Sequence, residues 1–332
     1  MTKPTITIIG LGLIGGSIGL ALRANNNTVR VVGHDLDHSM NKLAQKMGAI
    51  DDSSMNLLDA CQDADLVIIA APINAIRATL ATIGPHLKQG CVVTDTASLK
   101  GPVLAWAQET LRPDNSFIGG DPVINPAAQP IDLMTPTGLE SARADLFQDA
   151  FYALCAPPQA DPKAVKRVTD MVHLIQARPF YVDPAEHDGI QATIRGMPAL
   201  LNLVMMQQAD QSPGWREARK LADHTFGMAT APLAGDAAPQ RAQALLNADH
   251  LLPRLETLID GLTRLSEWIK TKDAAALEQA FEQASTARYR WLVDRARGEW
   301  EEEIGELALP GVMGNLGNLF GVGLGRPRHK EE

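Results

Sequence analysis

The stretch from Thr5 to Leu22 constrains the fold of this chain more than any other. A β-branched run, Thr5-Ile6-Thr7-Ile8-Ile9, reaches glycines at Gly10, Gly12 and Gly15, and helix-forming residues follow at once. A glycine-x-glycine-x-x-glycine between a strand and a helix is a dinucleotide-binding turn: Gly10 permits the tight reversal, Gly12 lets a pyrophosphate approach backbone N–H groups, and Gly15 allows close helix packing. Leu11, Leu13 and Ile14 complete the turn, and the phosphates are expected at the positive end of the helix dipole. A second strand over 29–34 delivers Asp35, twenty residues beyond Gly15, where a carboxylate can accept hydrogen bonds from both ribose hydroxyls. Leu36, Asp37 and His38 offer no guanidinium or ammonium to neutralise a 2′-phosphate, so the cofactor expected is NAD rather than NADP.

β-rich and helical runs alternate up to about Asp183, as an α/β Rossmann-type doubly wound parallel sheet requires. Strands are expected at 65–71, 91–95, 117–120, 152–155 and 179–182, with helices at 38–47, 74–87 and 162–176. The strand over 65–71 ends at Ala71-Pro72, which belongs to a loop over the cofactor. Prolines break the stretch 126–136, and order resumes over 138–149. Beyond Pro184 the strands stop, and residues 185–210, 214–227, 239–270 and 272–304 read as helices rich in Ala, Leu, Glu, Gln and Arg. The organisation expected is therefore a dinucleotide-binding domain at 1–183, an all-helical substrate and dimerisation domain at 184–304, and a glycine-rich tail at 305–332. The tail carries no charge from Leu307 to Gly325, but its glycines and Pro310 argue against a membrane-spanning helix. It reads as a flexible or interface-packing segment.

A net charge of −9 supplies no basic excess to displace counterions from a nucleic acid, so the expected partner is a small-molecule substrate. Three widely spaced cysteines, Cys61, Cys91 and Cys155, make neither a disulfide framework nor a thiolate metal site and fit a reducing, cytoplasmic setting. No His or carboxylate spacing suggests a metal ligand set. The apolar N-terminal run is explained by the first strand and its turn rather than by a secretion signal.

Several spaced segments resemble, in order, the prephenate dehydrogenase family of tyrosine biosynthesis: Gly10 to Ser17, Thr94-Asp95-Thr96-Ala97-Ser98-Leu99-Lys100, Phe117-Ile118-Gly119-Gly120, Gly138 to Phe147, and Asp183-Pro184-Ala185-Glu186-His187-Asp188. The resemblance spans roughly residues 5–230. It implies a nucleotide-binding domain followed by a helical domain that forms a homodimer. The activity implied is NAD-dependent oxidative decarboxylation of prephenate or arogenate. The Gly138 to Phe147 segment looks like the helix that follows the family's active-site loop. At three places this sequence departs from the family pattern. Asp121 stands where a Gly-Gly-His-Pro motif has its histidine, Arg195-Gly196-Met197-Pro198 replaces Ser-His-Leu-Pro, and Leu221 to Phe226 lacks both arginines of Phe-Arg-Asp-x-Thr-Arg. Arg195, beside the lost histidine, can relocate positive charge by one position.

The resemblance makes Ser98, Asp121 and Arg195 the candidate catalytic residues, facing the nicotinamide, with Ser98 also touching the cofactor. Lys100 reads most simply as a solvated side chain. His187 and Asp188 open the first helix of the second domain, where capping is their ordinary use. Two other functions stay open: a nucleotide-binding protein without catalysis, regulatory or structural, and a dehydrogenase of another small hydroxy acid.

Overall fold

The computed structural model describes residues 3–25, 28–126 and 138–298, so the proline-rich stretch and the glycine-rich tail lie outside the described residues. Strand β1 (Thr5–Ile9) feeds helix α1 (Leu13–Asn25), and β2 (Arg30–His34) feeds α2 (His38–Lys46). The short β3 (Asp52–Ser53) and α3 (Leu57–Cys61) precede β4 (Leu66–Ile69), α4 (Ile73–Ile83), β5 (Val92–Asp95), α5 (Gly101–Thr110) and β6 (Ser116–Pro122). Then come β7 (Phe151–Cys155), α6 (Pro162–Leu174) and β8 (Arg178–Tyr181).

These strands form one sheet of order β3-β2-β1-β4-β5-β6-β7-β8. Parallel pairing runs from β3 through β6, with Ile6 opposite Val31 on one side and Leu66 on the other. The strand order reverses between β1 and β4, which opens a crevice at their carboxyl ends, the ligand position of doubly wound sheets. The sheet is not wholly parallel. β6 and β7 pair antiparallel, Gly119 opposite Cys155, and β7 pairs parallel with β8. Antiparallel neighbours need no helical crossover, and the described part of the β6–β7 connection holds only a 3-10 turn, Leu139–Ser141, where the family resemblance implies a helix.

Alternation along the strands fills a layer on each face. Ile6, Ile8, Leu66 and Ile68 pack with Ile18 and Leu22 of α1 and Val168 and Met171 of α6. Val67, Ile69 and Val93 point to the opposite face, against Ile76 and Leu80 of α4 and Val103 of α5. Each such side chain is fully or nearly fully buried, worth about 1.5–3 kcal/mol apiece.

From Pro184 onward all described regular structure is helical: α7 (Pro184–Gln191), α8 (Met197–Gln211), α9 (Trp215–Leu221), α10 (His224–Thr230), α11 (Ala237–Leu246), α12 (Ala248–Thr271) and α13 (Ala274–Arg297). The uninterrupted helices expected at 185–210, 214–227 and 239–270 are each broken. Between α7 and α8 the chain widens into a π turn, Ala192–Gly196, beside Pro198, which has no N–H to continue the α-helical ladder. Asp223 caps α10 by accepting the Thr225 N–H. Between α11 and α12, Asn247 leaves helical geometry and donates its side-chain amide to the Asp188 carbonyl at 3.0 Å. Asn side chains compete for backbone groups in this way.

Compactness divides the chain into one unit over Met1–Asp260 and a second beginning at Gly261. The described part of the second unit comprises the end of α12 and α13, which bears exposed Phe281 and Trp291 and a buried Leu292. Among the described residues, no helix is long and apolar enough to cross a membrane.

Candidate active site

The crevice at the switch point is a groove of about 570 Å³. Its lining includes Gly10, Gly12, Leu13, Ile14, Asp35, Ala71, Pro72 and Ser98, all expected from the sequence, together with Arg195. Gly10 has φ +91°, and a side chain there would drive into the Ala70 carbonyl; a Cβ at Gly12 would meet nothing and project into free space. Leu11 and Gly15 do not line the groove. Leu11 is buried, and only its N–H is engaged, donating to Asp35 Oδ2 at 2.8 Å; Gly15 lies against the Gly10 carbonyl. Asp35 Oδ1 accepts the Asp37 N–H at 2.9 Å, so one carboxylate is tied to both the glycine turn and its own strand end. An open Gly12, the start of α1 and a fixed carboxylate fit a dinucleotide carrying ribose hydroxyls. A larger cleft of about 1090 Å³ lies at the amino ends of the strands, lined by groups such as Lys88 and Asp65 that already pair at 2.6 Å.

Behind the groove is a buried network. Lys100, expected to be solvated, is fully buried: its Nζ donates to Asp95 Oδ2 and to the Gly120 carbonyl, each at 2.6 Å. Asp95 also accepts the N–H groups of Ala97 and Gly120. Full burial raises the Asp95 carboxyl above the usual range, while Lys100 and these two donors pull against the shift. The 95–100 loop, with Ser98 in its middle, is thereby fastened across β5 and β6.

His187 and Asp188 do not cap the helix they begin; Asp183 does, accepting the Ala185 and Glu186 N–H groups. Asp188 instead reaches α5, accepting the N–H of Lys100 at 2.6 Å and of Gly101 at 2.8 Å. A carboxylate from α7 thus takes two of the orphan donors of another helix.

His187 points to Asp121, with Nε2 3.3 Å from Oδ2 and Nδ1 3.5 Å from Asp188 Oδ1. The Nε2 contact is too poorly aligned for a hydrogen bond, and Nε2 and the Gln191 amide oxygen are buried without partners among the described residues. Burial works against charge on His187, but Asp121 and Asp188 together outweigh it, and the imidazole titrates above its ordinary value. The other end of the Gln191 amide donates to Asp121 Oδ2 at 3.0 Å. Among the described residues, Asp121 Oδ1 has only Arg195, at 3.6 Å. Asp121 was expected to face the nicotinamide, yet it is 2% exposed and reaches the cavities only through Gln191 and Arg195.

A second cavity of about 360 Å³ adjoins the groove, walled by Leu99, α8 and α11. Ser98, Arg195 and Gln243 line both spaces. Of the three catalytic candidates, Ser98 and Arg195 therefore lie at this junction and Asp121 directly behind it. Sequence reading missed Gln191 and the engagement of His187 with Asp121. Their spacing held the signal, because residues 187, 191 and 195 recur every four positions and share one helix face.

Residues 18–181 match the family described as "Prephenate dehydrogenase, nucleotide-binding domain", and residues 183–283 match "Prephenate dehydrogenase, dimerization domain". The chain is 28% identical to the prephenate dehydrogenase of Bacillus subtilis over 288 residues, covering 86% of this chain and 76% of that protein. It is 26% identical to the cyclohexadienyl dehydrogenase of Zymomonas mobilis, covering 85% of this chain and 94% of that one. Its fold matches the A. aeolicus prephenate dehydrogenase crystallised with hydroxyphenyl propionate and NAD+ (TM-score 0.77, 20% identity, 87% of this chain and 99% of that one). Synechocystis arogenate dehydrogenase matches with a TM-score of 0.69, 24% identity and coverage of 86% and 99%. With two consecutive domain matches spanning most of its length and the sheet and helical region they call for, this chain belongs to the prephenate dehydrogenase family.

Proposed function

We propose that the protein is an NAD-dependent dehydrogenase that oxidatively decarboxylates prephenate or arogenate, with substrate in the cavity beside Ser98 and Arg195. The observation that carries this reading is the meeting of the groove over the glycine turn with a second, largely apolar cavity at Ser98, Arg195 and Gln243. Family membership and the relatives' activities favour it over a non-catalytic or other hydroxy-acid function.

NAD supplies the hydride acceptor when bound. The rest falls to the chain. The ring carbon's C–H bond breaks and its electron pair leaves as hydride while a base takes the hydroxyl proton and a carbonyl forms; the ring carboxylate's C–C bond then breaks, carbon dioxide leaves, and the released electron pair aromatises the ring to a phenolate that takes the proton back. Asp121, behind the junction of the two spaces, is the carboxylate that can take that proton once Arg195 swings aside. Among the described residues its Oδ1 has no hydrogen-bond donor, and Arg195 can swing toward or away from it at small cost because half of its side chain is exposed. His187 stands on the other oxygen and can hold the proton behind the carboxylate, which compensates for the imidazole absent from position 121. Ser98 fixes the hydroxyl, and Lys100 and Asp188 hold its loop from behind.

The apolar α8, none of whose residues is buried, and the exposed Leu262, Leu265 and Ile269 of α12 support a homodimer through the helical region. Three buried thiols, each pushed by burial to about 12, suit a reducing cytoplasm. The test is NADH formation by purified protein given NAD with prephenate or with arogenate. Turnover of one supports the assignment; NAD binding with no turnover of either rejects it.

A further inference from the structure

The second cavity carries a guanidinium, that of Arg241, which the sequence motifs did not reveal. Its described lining contains two guanidiniums, Arg195 and Arg241, and not one carboxylate. Arg195 has Asp121 at 3.6 Å, whereas Arg241 makes no hydrogen bond or ion pair with any described residue. The remaining wall is largely apolar, formed by Leu99, Ala199, Leu200, Leu203, Ala244 and Leu251.

Arg241 is held there by its helix. On α11, residues Ala237, Gln240, Arg241, Ala244 and Asn247 line the cavity at helical spacing, while Pro239 and Gln243 reach the cofactor groove. Ala242, pointing elsewhere, packs on the buried layer that contains Ile76 and Leu80 of α4. Asn247, at the end of the same helix, is tied to the Asp188 carbonyl. The backbone bearing Arg241 is thus seated against the layer that holds α4, and the exposed Arg241 side chain extends from it along the cavity wall.

A guanidinium without a counter-ion on the wall of a carboxylate-free apolar cavity calls for an anion with an apolar body. We propose that Arg241 is the carboxylate-binding group of this cavity, with Arg195 remaining beside Asp121 at the hydroxyl side. The proposal rests on the reading of this cavity as the substrate site, but it concerns binding rather than turnover.

The test titrates NAD-loaded protein with 3-(4-hydroxyphenyl)propionate and with its uncharged amide. Wild type is expected to bind the acid about ten- to hundredfold more tightly than the amide, the worth of one charge-assisted contact. Arg241→Gln should remove most of that preference, leaving amide and NAD affinities unchanged, and Arg241→Lys should retain part of it. An undiminished preference in Arg241→Gln, no preference in wild type, or binding of neither ligand overturns the proposal. A preference lost in Arg241→Gln without turnover of prephenate or arogenate removes the enzymatic assignment alone. Turnover with no dependence of acid binding on Arg241 removes this proposal alone.

Discussion

Lys100→Met isolates the buried pair that fixes the Ser98 loop. Lys100 and Asp95 are both fully inaccessible and 2.6 Å apart, so truncation leaves a buried carboxylate with only the Ala97 and Gly120 N–H groups for company. Breaking a buried pair on one side costs about 3–5 kcal/mol. That is a large share of the roughly 5–15 kcal/mol that holds a domain folded. At about 2–4 °C per kcal/mol, the melting temperature should fall by roughly 6–20 °C. Urea denaturation followed by circular dichroism, at one fixed protein concentration, measures the loss. Removing the stranded charge as well, in Lys100→Met with Asp95→Asn, should recover at least about 2 kcal/mol, a coupling expected only of groups in direct contact. The pH dependence has a definite sign. Asp95 titrates above its ordinary value when folded, and without Lys100 it titrates higher still, so the folded single variant takes up a proton as pH falls. Its deficit relative to wild type must therefore shrink toward acid. A single variant within about 1 kcal/mol of wild type, or a double variant no better than the sum of the two, would refute the reasoning.

Three other perturbations follow from the geometry. Asp35→Ala removes both the ribose acceptor and the anchor of the Leu11 N–H; NAD affinity, measured by calorimetry, should fall by about tenfold or more, with NADP affected far less. His187 titrates above its usual value because two carboxylates outweigh its burial. The stability it contributes is thus fully present below the unfolded pKa and lost as pH rises through the folded one. Denaturation across that window should show His187→Asn costing most on the acid side, and the variant should also lack the rise of kcat with pH expected of wild type as His187 becomes able to accept a proton. Gly196→Ala places a Cβ 2.6 Å from Leu251 Cδ2; it should destabilise by about 1–3 kcal/mol by overpacking, and Leu251→Ala in the same chain should recover part of that in thermal melts.

The glycine turn, the acidic end of β2 and the strand–helix alternation were legible because each is a local pattern with one physical meaning. The same holds for the change to helices at Pro184. What escaped was tertiary. Lys100 looks like a surface residue until Asp95, five residues earlier, is placed beside it on the same loop and Gly120 beneath it. His187 and Asp188 look like capping residues until the register of α7 aims one at β6 and the other at the start of α5. The break at Asn247 depends on a contact with Asp188 that no window of adjacent residues contains. Arg241 belongs to no motif, and only the packing of α11 on α4 brings it to the cavity.

The central claim is that cofactor and substrate meet where the two cavities join. A crystal structure with NAD+ and 3-(4-hydroxyphenyl)propionate tests it most directly. The nicotinamide should lie against Ser98 within reach of Gln243, with the phenol toward Asp121 and the carboxylate toward Arg241. A nicotinamide ring elsewhere in the groove, or an acid bound outside the cavity walled by α8 and α11, would contradict the account.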